Sequence, residues 1–168
     1  MSIVAIDLRP ARASDAASIA AVHDAAWRLA YSGLIPGREL ERMVTRRGPT
    51  WWDGAIRRGS RISLLTVAGD VAGYGSYGRN RATAIGVGGE IYELYVKPEY
   101  QGLGFGKRLF GACRDALAER ELSGLAVWVL SDNDPACRFY RALGGVAVAR
   151  GTEIFGERSL EKLAFAWA

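Results

Sequence analysis

The sequence predicts one α/β domain, residues 1–168, built on a mostly antiparallel mixed sheet of about seven strands flanked by helices. Three observations lead there. Runs of β-branched and aromatic residues recur along the chain, and two pairs of them are joined by turn-rich tripeptides, Ala68-Gly69-Asp70 and Gly156-Glu157-Arg158. Between the strand runs stand segments with apolar residues at three- and four-residue spacing, the signature of helices. At 168 residues the chain can bury a sizeable core, and no repeat, long linker or low-complexity segment divides it.

The elements follow in order. Ile3 to Leu8 alternates weakly and reads as the opening strand. Ser14 offers a helix cap, and Ile19, Val22, His23, Ala26, Trp27 and Ala30 then fall on one helical face. Ser32-Gly33 stops this helix, and Gly37 to Arg47 and Thr50 to Arg58 read as two shorter helices separated by Gly48-Pro49. Arg46-Arg47 and Arg57-Arg58 are expected on solvated faces or ends. Ile62 to Val67 and Val71 to Tyr77 form a hairpin, Arg79 to Gly89 a Gly-rich loop, and Glu90 to Val96 a strong strand ended by Lys97-Pro98. Gly104 to Arg120 fits a helix with Phe105, Leu109, Cys113, Ala116 and Leu117 on its apolar side. Leu125 to Leu130 is a strand, and Pro135 to Leu143 a helix with Pro at its start and Gly144 past its end. Val146 to Phe155 and Leu160 to Trp167 close the chain as strands.

Composition excludes several function classes. The chain is 49% hydrophobic and 24% charged, ordinary globular usage rather than that of a disordered segment. A net charge of +4 suits attraction of a phosphorylated small molecule but is too mild to indicate nucleic acid. No apolar run reaches the ~18 residues of a membrane span. The opening Met1-Ser-Ile-Val-Ala-Ile-Asp7 lacks the basic start of a signal peptide, so a cytoplasmic location is the default expectation. Cys113 and Cys137 fall on helices without metal-ligand spacing, and the one histidine, His23, completes no zinc site; both cysteines are expected to pack.

The chemistry concentrates in Glu90-Ile-Tyr-Glu-Leu-Tyr-Val-Lys-Pro-Glu-Tyr-Gln-Gly-Leu-Gly-Phe-Gly-Lys107, a glycine-rich turn between a strand and a helix. Glycines let the backbone approach a ligand, and the first N–H groups of the helix are free to grip an anion; the spacing suggests a pyrophosphate cradle. A Walker loop needs four residues between Gly and Gly-Lys followed by Ser or Thr. Gly102 to Gly106 encloses three, and Arg108 follows Lys107. A dinucleotide fingerprint fails too, because Lys107 stands where it needs Gly. Gly73, Gly75 and Gly78 do make Gly-x-Gly-x-x-Gly, but within a hairpin arm and without a following helix. That match reads as a bulged or closely approached strand.

Gln-x-x-Gly-x-Gly at Gln101, Gly104 and Gly106 resembles the coenzyme A pyrophosphate loop of the GNAT superfamily of N-acetyltransferases. Asn133-x-x-Ala136-x-x-Phe139-Tyr140-x-x-x-Gly144 resembles that superfamily's strand-to-helix segment along the cofactor arm, and Glu93-Leu-Tyr-Val96 with Pro98 its central strand. The first helix, His23-x-x-Ala-Trp-Arg-x-x-Tyr31-x-Gly-Leu-Ile-Pro36, is similar to many bacterial members. One departure is Gly145, where an aromatic residue is common.

This resemblance implies a sheet splayed into a V between two neighbouring parallel strands, with acetyl-CoA as acyl donor inside it and no metal. Main-chain groups of Leu94, Tyr95 and Val96 would pair with the pantetheine arm. Gln101, Gly102, Leu103, Gly104, Phe105, Gly106 and Lys107 would hold the pyrophosphate, and Asn133 would bond near the pantetheine. Tyr140 would protonate the departing thiolate. Glu90 and Glu93 stand out in an apolar strand as candidate bases, directly or through water; their alternative is a rim carboxylate. Three residues apart, they face opposite sides of a regular strand unless a bulge intervenes. His23, Trp27 and Tyr31 share a helix face that packs in the core or, for Trp27 and Tyr31, walls the acceptor pocket. Trp51-Trp52 reads as packing.

The activity implied is direct acetyl transfer to a primary amine, with no activated Cys or Ser nucleophile in view. Amino acid, polyamine, antibiotic, peptide terminus and protein lysine all fit as acceptors. The alternative from another class is a non-catalytic acetyl-CoA-binding sensor or partner-binding module. The resemblance also admits a homodimer through the terminal strands.

Overall fold

The computed structural model describes residues 3–168; Met1 and Ser2, which open the expected N-terminal segment, lie outside it. Its strands are β1 (Ile6–Pro10), β2 (Arg61–Val67), β3 (Asp70–Arg79), β4 (Gly89–Val96), β5 (Leu125–Leu130), β6 (Val146–Phe155) and β7 (Arg158–Trp167). Its α-helices are α1 (Ala16–Tyr31), α2 (Gly37–Arg46), α3 (Pro49–Arg57), α4 (Phe105–Glu119) and α5 (Asp134–Ala142). The strands make one sheet in the order β1-β2-β3-β4-β5-β7-β6, antiparallel except at β4–β5. Among the described residues no helix is long and apolar enough to cross a membrane.

Helices cover both faces of the sheet. On one, Phe110, Cys113 and Leu117 of α4 and Cys137 and Tyr140 of α5 pack with Ile91, Val127 and Phe165. On the other, Ile19 and Val22 of α1 and Trp52 of α3 pack with Ile62, Leu64 and Tyr74. Leu40 and Val44 seat α2 against Ile35, Phe155 and Leu160, next to the tip of the β6–β7 hairpin.

The glycines of β3 let α4 and β4 come close. A Cβ on Gly75 would lie 2.6 Å from Cys113 Sγ, and one on Gly73 would lie 2.8 Å from the Tyr95 carbonyl oxygen. The Gly-x-Gly-x-x-Gly match therefore serves close packing in a strand, as its context suggested. The β2–β3 hairpin turns through Ala68 and Gly69, both at positive φ, as the tightest hairpins require.

Two features of β4 shape everything downstream. It pairs with β5 only at Gly89↔Leu125 and Glu90↔Ala126, so beyond Glu90 the two parallel strands part into a fork. Opposite β3, Tyr77 faces Ile91 and Ser76 faces Glu93, which makes Tyr92 the extra residue of a β-bulge. The bulge resets the alternation: Ile91 and Leu94 both pack towards α4, so Glu90 and Glu93 share the opposite face.

Two expectations need correction. The first strand begins at Ile6, not Ile3, because pairing with β2 starts at Ile6↔Val67 and Ile3 and Val4 are exposed. Arg47 is not a solvated helix end; its side chain turns inward to Glu93.

Candidate active site

The loop between β4 and α4 owes its shape to two left-handed residues, Gly102 at φ +77° and Gly104 at φ +82°. A Cβ at either would meet nothing within 4 Å, so the backbone conformation, not crowding, demands glycine here. Gln101 ties the loop to the strand end by donating its Nε2–H to the Val96 carbonyl at 3.0 Å. Gly104 is the N-cap of α4 and no side chain caps that end. The N–H groups of the first turn are thus left for a ligand, and their partial positive charge favours an anion.

These N–H groups face a groove of about 800 Å³ that runs into the fork. Leu94, Tyr95 and Val96 form its β4 wall, and Gln101, Gly102, Gly104, Phe105, Gly106 and Lys107 the end at the α4 N-terminus. Asn133 and Tyr140 line it from the β5–α5 side. Leu103 belongs to the same loop but is 62% exposed and does not line the groove. Ala26, Leu29 and Ala30 of α1, with Leu34 from the turn after it, add a further wall, and Ala136 and Phe139 one from α5. Sequence reasoning missed the α1 wall. Its signal was the pair of small residues Ala26 and Ala30 at four-residue spacing on the apolar face, which leave room beside the helix for a ligand.

Asn133 caps α5, its Oδ1 accepting from the Ala136 N–H at 3.3 Å, which leaves its amide NH₂ for other partners. Tyr140 is 6% exposed, its ring held between Phe110, Phe139, Phe165 and Trp167. Burial pushes its phenol well above the ordinary value, so it is held protonated. Phenylalanine-like packing thus fixes the ring while the polar tip reaches the groove.

The two acidic candidates sit differently. Glu90 lies at the closed end of the fork and is 1% exposed; it accepts from the Arg81 backbone N–H at 3.0 Å and pairs with the Arg81 side chain at 2.8 Å. It anchors the start of the β3–β4 loop. Glu93 lies further along, its side chain 13% exposed, with Oε1 on Arg47 Nη1 at 2.5 Å and Oε2 accepting from Tyr74 Oη at 3.2 Å. Burial raises its pKa above the usual carboxylate range, and the Arg47 charge pulls against that rise. Neither carboxylate lines the groove.

Trp27 and Tyr31 do not line the groove either, but Tyr31 reaches its wall: the Tyr31 and Tyr95 hydroxyls are 2.8 Å apart. Trp27 packs between the tilted His23 ring, centroids 4.7 Å apart, and the Tyr31 ring, met edge-on at 4.8 Å. His23 is buried and neutral, its pKa lowered to about 4 by burial first and by Arg47 second. Trp52 is a core residue, 5.0 Å from the Tyr74 ring, and Trp51 lies under the Arg47 guanidinium at 4.1 Å. Burial pushes the Cys113 thiol up to about 12 and raises that of Cys137, so neither is poised as a nucleophile.

Residues 20–144 match the Acetyltransferase (GNAT) family. The chain is 30% identical over 163 residues to the uncharacterized N-acetyltransferase YuaI of Bacillus subtilis, covering 96% of this chain and 92% of that one. A GCN5-related N-acetyltransferase from Rhodopseudomonas palustris has the same fold, with a TM-score of 0.77 at 24% identity over 99% of this chain and 98% of its own. So does yncA of Salmonella typhimurium, solved with its cofactor acetyl-CoA: TM-score 0.70, 18% identity, 97% of this chain and 93% of its own. With its forked sheet, uncapped α4 and matched sequence, the chain belongs to the GNAT family of acetyltransferases.

Proposed function

We propose that this enzyme moves an acetyl group from acetyl-CoA directly to a primary amine, without an acetylated enzyme. The observation that carries this reading is the position of Tyr140, a phenol held protonated at the groove that begins at the free N–H groups of α4. The groove fits the donor: an anion site at one end, an unpaired strand edge beyond Glu90, and a proton source at the other end. The relative yncA was solved with acetyl-CoA, which supports the same ligand here.

In this reading the pyrophosphate lies on the N–H groups of Gly102 to Lys107, and the pantetheine amides extend β4 along Leu94 to Val96. The acceptor arrives as an ammonium ion. One proton leaves it for Glu93, the freed lone pair forms the N–C bond to the thioester carbonyl, and the C–S bond breaks as the resulting oxyanion collapses. Tyr140 gives its proton to the thiolate and regains one from the acetylated nitrogen. Glu93 is preferred to Glu90 as the proton acceptor because Glu90 is tied to Arg81 at the closed end of the fork. A main-chain N–H of β4 would meet the oxyanion that forms on the carbonyl.

Amines presented in turn, from amino acids and polyamines to peptides, should release free coenzyme A thiol with at least one of them. Mass spectrometry of enzyme incubated with acetyl-CoA alone should find no added 42-dalton acetyl group, about the mass that covalent catalysis would leave. Tight binding of acetyl-CoA with no thiol release from any amine would favour a cofactor sensor instead.

A further inference from the structure

We propose that Arg47 is a positioning residue for the transfer: it supplies the counter-charge that the buried Glu93 carboxylate needs and fixes which oxygen faces the Tyr74 hydroxyl. This rests on the proposed role of Glu93 as the group that takes the acceptor's proton. Arg47 forms the C-cap of α2, where its N–H bonds back to Met43 and its side chain leaves the helix towards the sheet. Neighbouring Arg46 is exposed, whereas Arg47 is only 29% exposed and lies over the Trp51 ring. Helix α2 thus hands one cation to the site, braced by an aromatic plane that a flexible ammonium would use less well.

The division of the carboxylate is specific. Oε1 accepts from the Arg47 guanidinium and Oε2 from the neutral Tyr74 hydroxyl, so Oε2, away from the cation, is the oxygen better suited to take a proton. The groups facing Glu93 come from four other elements and from β4 itself: Arg47 from α2, Tyr74 from β3, Arg81 from the loop after β3, Tyr31 from α1 and Tyr95 from β4. Of the two cations, Arg81 is already committed to Glu90 at 2.8 Å, which leaves Arg47 as the main balance to the charge. His23 also faces Arg47 and is neutral.

The Tyr31 and Tyr95 hydroxyls are 2.8 Å apart, both feel the Glu93 charge, and Tyr95 lines the groove, so the pair would relay the acceptor's proton. Each hydroxyl can accept a proton as it passes one on, so both tyrosines end unchanged. The ammonium becomes an amine, Glu93 becomes a carboxylic acid, and it returns the proton to solvent after turnover. Without Arg47, burial is opposed only by the Tyr74 hydrogen bond and the Arg81 charge, so the carboxyl holds its proton more tightly and accepts one less readily. A residue that merely fastened α2 to the sheet would leave this balance alone.

The test is the titration of Glu93 itself, followed by carbon-13 NMR on protein labelled at glutamate carboxyls, with the signal assigned by Glu93→Gln. In Arg47→Met the midpoint should rise by at least about one pH unit, a tenfold gain in proton affinity. Arg47→Lys should recover most of that shift, and Arg46→Met should leave the midpoint where it was. Arg47→Gln replaces Arg47→Met if the latter does not fold. The acid limb of kcat/KM, with the amine that releases most coenzyme A, should move with the midpoint. An unmoved midpoint overturns the inference, as does a midpoint that moves while activity falls equally at every pH. Failure of the underlying reading has a different signature: Glu93→Gln would keep wild-type kcat/KM throughout.

Discussion

The two faces of β4 bind by different means. Towards α4 and α5 the site is made largely of main chain: two left-handed glycines, an uncapped helix end and an unpaired strand edge. Towards α1, α2 and α3 it is made of side chains that hold one another, Arg47 on Glu93, Tyr74 on Glu93 and Tyr31 on Tyr95. Main-chain donors are present whatever the residue, so the first face can keep one ligand through wide changes of sequence. The second face changes its chemistry with each substitution. A constant donor and a variable acceptor are the natural tenants of such a pair.

Tyr140 is where the comparison is sharpest, because it is a side chain on the main-chain face. A phenol is a weaker acid than a thiol, so proton donation is modestly uphill in water but gains where an unpaired thiolate would be costly. Tyr140→Phe should lower kcat by ~10²–10⁴, the span for a positioned general acid, with acetyl-CoA affinity nearly unchanged. Single-turnover stopped-flow kinetics and calorimetry on one preparation check this. A Phe variant that transfers acetyl at the wild-type rate would reduce Tyr140 to packing.

Ligand-linked stability comes next. At a hundredfold excess over Kd, acetyl-CoA should stabilise the fold by ~2.7 kcal/mol, measured as a thermal shift. NAD and ATP at the same concentration should do much less; equal shifts from all three would make the α4 end a generic anion trap. Gly104→Val should then weaken coenzyme A binding by ~1–3 kcal/mol, since several phosphate-directed N–H groups are displaced. The damage comes from forcing φ +82° on a branched residue, not from a clash with neighbours. Calorimetry giving wild-type affinity for a folded variant would place the pyrophosphate elsewhere.

The smallest effect belongs to Asn133. Asn133→Ala removes the cap of α5 and should cost ~1 kcal/mol of stability in a urea melt, while Asn133→Asp keeps an oxygen for the Ala136 N–H and should cost less. An Ala variant as stable as wild type would show that α5 is held by Cys137 and Tyr140 packing alone.

Legibility in the sequence follows the same division. The strand, glycine loop and helix from Glu90 to Arg120 are neighbours along the chain, so local spacing carried the cradle, and the seven strands were found within a few residues of their ends. The first strand was placed too early because its limit is set by its partner β2, whose pairing starts at Ile6. The Arg47–Glu93 pair spans 46 positions, and nothing near Arg47 distinguishes it from Arg46. The Tyr92 bulge is likewise invisible in a run of strand-forming residues, yet it decides that Glu90 and Glu93 share a face.

The fork divides the sheet into two half-sheets, β1 to β4 and β5 with β7 and β6, which share only two strand-to-strand residue pairs. A ligand that extends β4 does more than occupy a groove: it acts as a removable strand that adds main-chain pairing between half-sheets otherwise joined by the side-chain core under α4 and α5. Amide hydrogens of Leu94 to Val96 and of β5 should exchange more slowly once acetyl-CoA is bound, while those of β2, already paired on both sides by β1 and β3, should hardly change.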